Sequence, residues 1–283
     1  MEYSASPLMK PEEFRLIREF TAERFGLVID HGKEGYLAAR LFPRLLELRL
    51  ATFAEYYSYL KFAPRCTEEH ACYISLITNN ETYFFREMAQ LNAFAELVLP
   101  ELKARKIAAA DKRLRILSVG CSSGEEVYTL AMLLQQSGLF VWDWDLRITG
   151  IDIDPQVLAK AETGIYTGRA FQSTPPLFID RYFRECEQGF QVRDQLRKIC
   201  GFSRGNMLSL PGDLDSEPAD IIFCRNVLIY FDEGNIKRVI DNFAAMLAPD
   251  GLLFLGHAES LSRITSQFTP ILFPGAIVYR KKP

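Results

Sequence analysis

Residues 113–138 read RLRILSVGCSSGEEVYTLAMLLQQSG, and their order decides the architecture. A β-rich run up to Val119 meets Gly120, the small residues Cys121, Ser122 and Ser123, then Gly124 and an amphipathic helical stretch from Glu125 onward. The same grammar continues in DLRITGIDID (145–154) and DPQVLAKAETGIY (154–166). Further on come ADIIFCRNVLIYF (219–231), the helix DEGNIKRVIDNFAAMLAPDG (232–251) and the strand GLLFLG (251–256). Strands alternating with helices predict an α/β fold, a doubly wound, mostly parallel sheet covered on both faces. The tail FTPILFPGAIVYRKK (268–282) reads as two strands joined through Phe273-Pro274-Gly275, which implies an antiparallel hairpin at the end of that sheet.

Working outward, the N-terminal side speaks a different language. PEEFRLIREFTAERFGLVI (11–29) spaces Phe14, Ile17 and Phe20 for one helical face, and GYLAARLFPRLLELRL and TFAEYYSYLKF continue the pattern. Three parts are therefore expected: an all-α domain over 1–78, a linking helical region over 79–113, and the α/β domain over 114–283. Between Gly164 and Phe202 the rhythm breaks, and YFRECEQGFQVRDQLRKICGF alternates like a hairpin around Gly189, predicting a small inserted β-subdomain at about 180–202. The linking region opens on NNETYFFRE (79–87), where Asn79 and Asn80 are candidate helix caps. Tyr83, Phe84 and Phe85 cannot share one helical face, so at least one is expected to point to a cleft or a second domain.

The formal net charge of -3 leaves no global positive field, so neither a nucleic-acid backbone nor an anionic membrane is the expected partner. Six cysteines without a C-x-x-C pair fit small core residues in a reduced cytosol. The start, MEYSASPLMKPEEF, lacks an apolar leader, and no apolar run approaches the roughly 20 residues of a membrane span. A cytoplasmic protein without membrane insertion is expected. His31, His70 and His257 lie far apart without zinc-like spacing, so no metal is expected.

The chemistry-bearing residues sit where strands end. Gly120 and Gly124 let backbone amides approach a ligand at the carboxyl edge of the sheet, although a bland tight turn reads the same way. A pyrophosphate loop leaves the helix start free for anionic oxygens, yet here Glu125 and Glu126 occupy the first turn. They either complement the helix dipole or receive a ligand with a cationic amino-acid end, as S-adenosylmethionine has. Asp152 lies about 30 residues beyond the glycine loop, placed to accept two ribose hydroxyls, whereas Asp154 before Pro155 reads as a helix N-cap. CRNVLIYF (224–231) ends the fourth strand without the Asn/Asp-Pro-Pro-Tyr turn of nucleobase amino-methyltransferases. Asn226 and Tyr230 there are candidates to line a pocket, with ordinary corner packing as the competing reading.

NNETYFFRE, GCSSGEE, GIDID, FSRGNML, IIFCRNVLIYF and PDGLLFLGHAES, in this order, closely resemble the CheR family, glutamate O-methyltransferases of methyl-accepting chemotaxis receptors, over nearly the whole chain. The resemblance implies a Rossmann-like class I S-adenosylmethionine methyltransferase fold and the product S-adenosylhomocysteine. It places Asn80, Thr82, Arg86, Glu126, Asp152, Asn206, Met207, Asn226 and Val227 at cofactor-contacting positions beside the Gly120 loop, with Arg86 and Tyr230 orienting the incoming carboxylate. The family uses a basic helix on its receptor, for which Arg40 and Arg44, four apart, are the candidates, although Pro43, Leu46 and Glu47 weaken the ridge. Some members dock on a receptor's C-terminal pentapeptide through a longer, Gly-rich loop; with one glycine near Glu185 to Gly189, tethering is not expected here, and neither is an oligomer. Two other classes stand beside this: a non-catalytic signalling module that binds the cofactor or its product, and a nicotinamide dehydrogenase, which Glu125-Glu126 and the missing third glycine disfavour.

Overall fold

The computed structural model describes residues 8–141, 143–210 and 217–282; the first seven residues of the stretch MEYSASPLMKPEEF, read above for a leader, lie outside them. The chain divides into two compact units, Met1–Asn79 with Tyr230–Asn235, and Asn80–Ile229 with Ile236–Pro283.

The first unit is helical: α1 Pro11–Phe25, α2 Glu34–Leu48, α3 Phe53–Phe62 and α4 Cys66–Ile77. Local signals set its ends. Proline opens α1 with Glu13 reaching back to the Lys10 N–H at 2.8 Å, and Gly26 at φ 77° closes it. Thr52 caps α3 by accepting the Glu55 N–H at 3.1 Å. Ile17, Leu41, Tyr56, Leu60, Tyr73 and Ile74 form its buried centre. The run Tyr230–Asn235, read from sequence as the end of a strand region up to Phe231 and the start of a helix from Asp232, belongs here: the Val28 N–H donates to the Tyr230 carbonyl at 2.8 Å, and Asn235 Nδ2 to that of Gly26 at 3.2 Å.

The second unit opens with α5 Met88–Asn92, a π-helical turn Ala93–Val98 and α6 Leu99–Ala108. The α/β part follows as β1 Arg113–Val119, α7 Glu125–Gln136, β2 Asp145–Asp152, α8 Pro155–Thr163, β3 Ile165–Tyr166, α9 Pro176–Tyr182, β4 Phe183–Cys186, β5 Gly189–Val192, α10 Asp194–Arg197 and β6 Cys200–Arg204. The last elements are β7 Ala219–Cys224, α11 Glu233–Met246, β8 Leu247–Leu255, β9 Phe268–Phe273 and β10 Ala276–Lys281. Seven strands form the main sheet in the order β6-β2-β1-β7-β8-β10-β9. The first five pair in parallel, and β10 enters antiparallel between β8 and β9, the expected hairpin. Every residue of β7, and all of β1 beyond Arg113, is buried, as strands of a sheet covered on both faces must be. Chain order reverses at β1, with β2 on one side and β7 on the other, so a crevice is expected beyond their carboxyl ends.

The small antiparallel sheet runs β3-β5-β4. It reaches beyond the stretch at about 180–202: Ile165–Tyr166 supplies its third strand, while Cys200–Arg204 pairs with β2 in the main sheet. Gly189 is required at its hairpin, because at φ 132° an added Cβ would lie 2.5 Å from the Tyr166 carbonyl oxygen.

The segment 79–87 corrects the expectation of helix caps. No helix begins at Asn79 or Asn80; the chain runs irregularly to Met88, with Phe85 and Glu87 at φ 60° and 58°. Aromatic burial overrides helix propensity here. Phe84 stacks on Phe171 at 5.3 Å and meets Tyr166 edge-on at 4.8 Å, while Phe85 meets Phe178 at 4.7 Å, directions that a continuous helix cannot supply together.

Candidate functional site

The glycine loop after β1 folds back on the end of β2. The N–H groups of Gly120 and Cys121 both donate to the Ile151 carbonyl, at 2.7 and 3.1 Å. Gly120, Ser122 and Gly124 stand at φ 76°, 49° and 89°. Two close approaches explain the glycines: a Cβ on Gly120 would fall 2.5 Å from Val227 Cγ2, and one on Gly124 would fall 2.8 Å from the Ala161 Cβ.

Asp152 ends β2 with its carboxylate buried and clasped by backbone amides, the Ser122 N–H at 2.8 Å and the Asp154 N–H at 3.0 Å. Burial pushes its carboxyl above the usual carboxylate range, against the pull of those amides. Asp154 is the N-cap, accepting the Gln156 N–H at 2.9 Å on one oxygen. Its other oxygen accepts from Asn80 Nδ2 at 2.7 Å, and the Asn80 carbonyl accepts the Ser122 hydroxyl at 3.0 Å, so Asn80 is stitched to both strand-end loops. The Gly205 N–H donates to the Asp152 carbonyl at 2.9 Å and brings Asn206 and the buried Met207 beside this edge. Asn206 turns its Oδ1 to the Leu208 N–H at 3.0 Å. Thr82 is half-buried in the linking segment. The Arg86 guanidinium bonds to the Glu81 carbonyl at 2.9 Å and lies 5.8 Å from the Tyr83 ring.

Both first-turn carboxylates have partners from within the chain. Glu125 is buried, accepts the Ser123 hydroxyl at 2.7 Å and lies 3.8 Å from Lys160; burial raises its carboxyl above the ordinary value. Glu126 accepts the Ser118 hydroxyl at 2.7 Å on one oxygen and Arg225 Nε at 2.6 Å on the other. Arg225, missed in the sequence, is the hub of this region. Its side chain is 3% exposed, its Nη1 donates to the Arg86 carbonyl at 2.9 Å, and it lies 3.6 Å from a Glu87 oxygen. A charged residue at the end of the apolar strand ADIIFC was the available signal, since a buried arginine must be paired.

Asn226 stands at φ 60°, in the left-handed region that asparagine enters more readily than other non-glycine residues. Its Nδ2 donates to Glu87 Oε1 at 3.0 Å, and its Oδ1 is buried with no partner among the described residues, an acceptor left available. His257 Nδ1 lies 3.0 Å from the same Glu87 oxygen. Burial pushes the Glu87 carboxyl up, but the bonds from His257 and Asn226 and the Arg225 charge outweigh it and hold the group below its ordinary value.

In the helical unit the backbone carbonyl of Tyr230 is bonded to Val28. Arg40 and Arg44, the candidates for a basic ridge, are half-buried and bonded within that unit. Arg40 Nη1 donates to the carbonyls of Leu76 and Thr78 at 2.9 and 2.7 Å, at the end of α4. Arg44 spends its fork on buried Glu69, at 2.6 and 3.0 Å, and bonds Glu47 at 2.7 Å, which neutralises it locally.

A parallel sheet with an antiparallel terminal hairpin, a glycine loop after β1 and an acidic residue ending β2 together make an α/β fold whose switch point suits a nucleoside ligand. Residues 80–275 match the CheR methyltransferase SAM-binding domain, and residues 12–78 match the CheR methyltransferase all-alpha domain. The chain belongs to the CheR methyltransferase family. It is 34% identical over 257 residues to chemotaxis protein methyltransferase 2 of Vibrio cholerae, covering 90% of this chain and 88% of that one. To the chemotaxis protein methyltransferase of Escherichia coli it is 34% identical over 265 residues, covering 90% and 87%. It is likewise 34% identical over 239 residues to the probable biofilm formation methyltransferase WspC of Pseudomonas aeruginosa, where the match spans 84% of this chain and 54% of that protein. No described helix is long and apolar enough to cross a membrane, and no described group of His, Cys, Asp and Glu is arranged to hold a metal ion.

Proposed function

We propose that the chain transfers the methyl group of S-adenosylmethionine to glutamate side chains on cytoplasmic helices of chemotaxis receptors, yielding glutamyl methyl esters and S-adenosylhomocysteine inside the cell. The observation that carries this reading is buried Asp152 at the sheet's switch point, amide-clasped and beside Asn80 and Asn206, in a chain of this family. The residues suit an adenosyl group: an ionised Asp152 accepts ribose hydroxyls in bonds of about 1.5 to 3 kcal/mol each, and Asn226 offers a buried acceptor without a partner. In this assignment Asn80, Thr82, Glu126, Met207 and Val227 complete the binding wall around the Gly120 loop. When bound, S-adenosylmethionine supplies an electrophilic methyl on a sulfonium sulfur. A glutamate with a pKa of about 4.3 is already ionised at neutral pH, so this chain needs no general base. Its task is positioning: Arg86, and Tyr230 in the family's pattern, would orient the acceptor carboxylate for in-line attack.

The test is incubation of methyl-labelled cofactor with receptor cytoplasmic domains, scored by base-labile methanol. Arg86→Ala should lower turnover about a hundredfold or more while product binding survives in part. Near-normal turnover would remove Arg86 from the chemistry, and base-stable label would remove the carboxylate acceptor.

A further inference from the structure

The Gly256-His257-Ala258-Glu259 turn after β8 has no part in the assignments above, yet it grips one of them. Glu259 Oε2 accepts the N–H groups of Asn226 at 3.1 Å and Gly256 at 2.7 Å, while Oε1 accepts those of Val227 at 3.0 Å and Leu228 at 2.8 Å. Four backbone donors converge on one carboxylate, three of them consecutive residues just past β7, an anion nest filled from within the chain. Glycine at 256 makes the approach possible, since a Cβ there would lie 2.8 Å from the Asn226 nitrogen and 2.8 Å from Glu259 Oε2. The grip extends to the glycine loop, because Val227, held by its N–H, lays its side chain where a Cβ on Gly120 would be. It also acts against strain: Asn226 at φ 60° is held through its backbone by Glu259 and through its side chain by Glu87.

We propose that Glu259 is a positioning residue, which holds the Asn226–Leu228 backbone in the single conformation that receives the adenosyl cofactor without touching that cofactor; the proposal rests on the cofactor reading above. Glu259→Gln keeps the shape but turns an NH2 group toward N–H donors, so the bonds on one oxygen are lost. Glu259→Asp keeps the charge one methylene short.

The experiment uses the full chain, with folding of each variant verified by circular dichroism at the working temperature. Two readouts are taken: the Kd for S-adenosylhomocysteine by calorimetry, and amide hydrogen exchange at 226–228 without ligand. Glu259→Gln should raise the Kd by about tenfold or more and lower protection at those amides by a similar factor, with β1 and β2 unchanged and Glu259→Asp intermediate. A folded Glu259→Gln variant that binds within about twofold of the parent overturns the proposal, because a merely structural carboxylate lowers stability without moving the Kd of the folded state. Should Glu259→Gln not fold, Glu259→Asp decides on the same two readouts. A parent chain that binds no S-adenosylhomocysteine overturns the cofactor reading itself, and this role with it.

Discussion

Two buried arginine networks in this chain are built from the same chemistry and end differently. In the helical unit, Arg44 grips Glu69 with two nitrogens, the Tyr56 hydroxyl donates to Glu69 at 2.8 Å, and the network closes on itself. In the sheet unit, Arg225 reaches Glu126 and the Arg86 carbonyl and lies beside Glu87, so it ties together the start of α7, the linking segment and the end of β7. Around it Phe85, Glu87 and Asn226 are held at positive φ, and Asn226 keeps an unpartnered buried oxygen. A closed, bidentate network stores stability. One strung between loops at positive φ, with an acceptor to spare, is the one the proposed function draws on.

The largest effect expected from breaking this comparison is at Arg225. Arg225→Met strands Glu126 against buried surroundings and should cost about 3 to 5 kcal/mol in urea unfolding. Adding Glu126→Gln should recover most of that stability, since removing both partners of a buried pair is often near neutral, but should leave S-adenosylhomocysteine affinity at least about tenfold weak by calorimetry. Arg44→Met should cost somewhat less, about 2 to 3 kcal/mol, because Tyr56 still bonds Glu69 and the Arg44 side chain is 25% exposed. The folded fraction of that variant should bind the product like the parent. Equal losses of affinity in the two networks would dissolve the distinction between them.

The smallest effect separates the two carboxylates of the sheet unit by the sign of their response to acid. The folded-state value of Glu87 is depressed, so its ionisation stabilises the fold above its ordinary value, and that stability is lost as pH falls through the depressed one. In Glu87→Gln, urea unfolding across that window should lose this part of the acid dependence. Asp152 has the opposite sign: burial raises its folded value, so protonation on acidification favours the fold while removing the acceptor proposed for the ribose. Product affinity should therefore begin to fall at a higher pH than an ordinary aspartate would set, measured by calorimetry across a pH series. An affinity flat through that range would detach Asp152 from the ligand.

Much of the fold was legible because its signals are local. The turn at Pro274-Gly275, with Gly275 at φ 73°, announces the hairpin of β9 and β10. Asp154 before Pro155 could be separated from Asp152 because an N-cap is written in adjacent residues. Glu125 and Glu126 have partners that were not legible, for the complementary reason. Their sequence neighbours place them on a first helical turn, but the groups that absorb their charge, Lys160 and Arg225, come from elsewhere in the chain. The partners of Arg40 and Arg44 were hidden likewise, since spacing on α2 shows a shared face and not the carbonyls and carboxylate of α4 that wait against it.

By itself, then, the amino-acid sequence determined the order of strands and helices, the glycine loop, the acidic end of β2 and the family, because hydrophobic period, turn chemistry and motif order act over a few residues at a time. Only the tertiary structure decided which charges are free and which are spent: Arg225 with Glu126, Arg44 with Glu69, and Glu259 beneath Asn226–Leu228. A side chain in a low-dielectric interior takes whichever partner packing brings within about 3 Å, and that partner carries no mark in the local sequence.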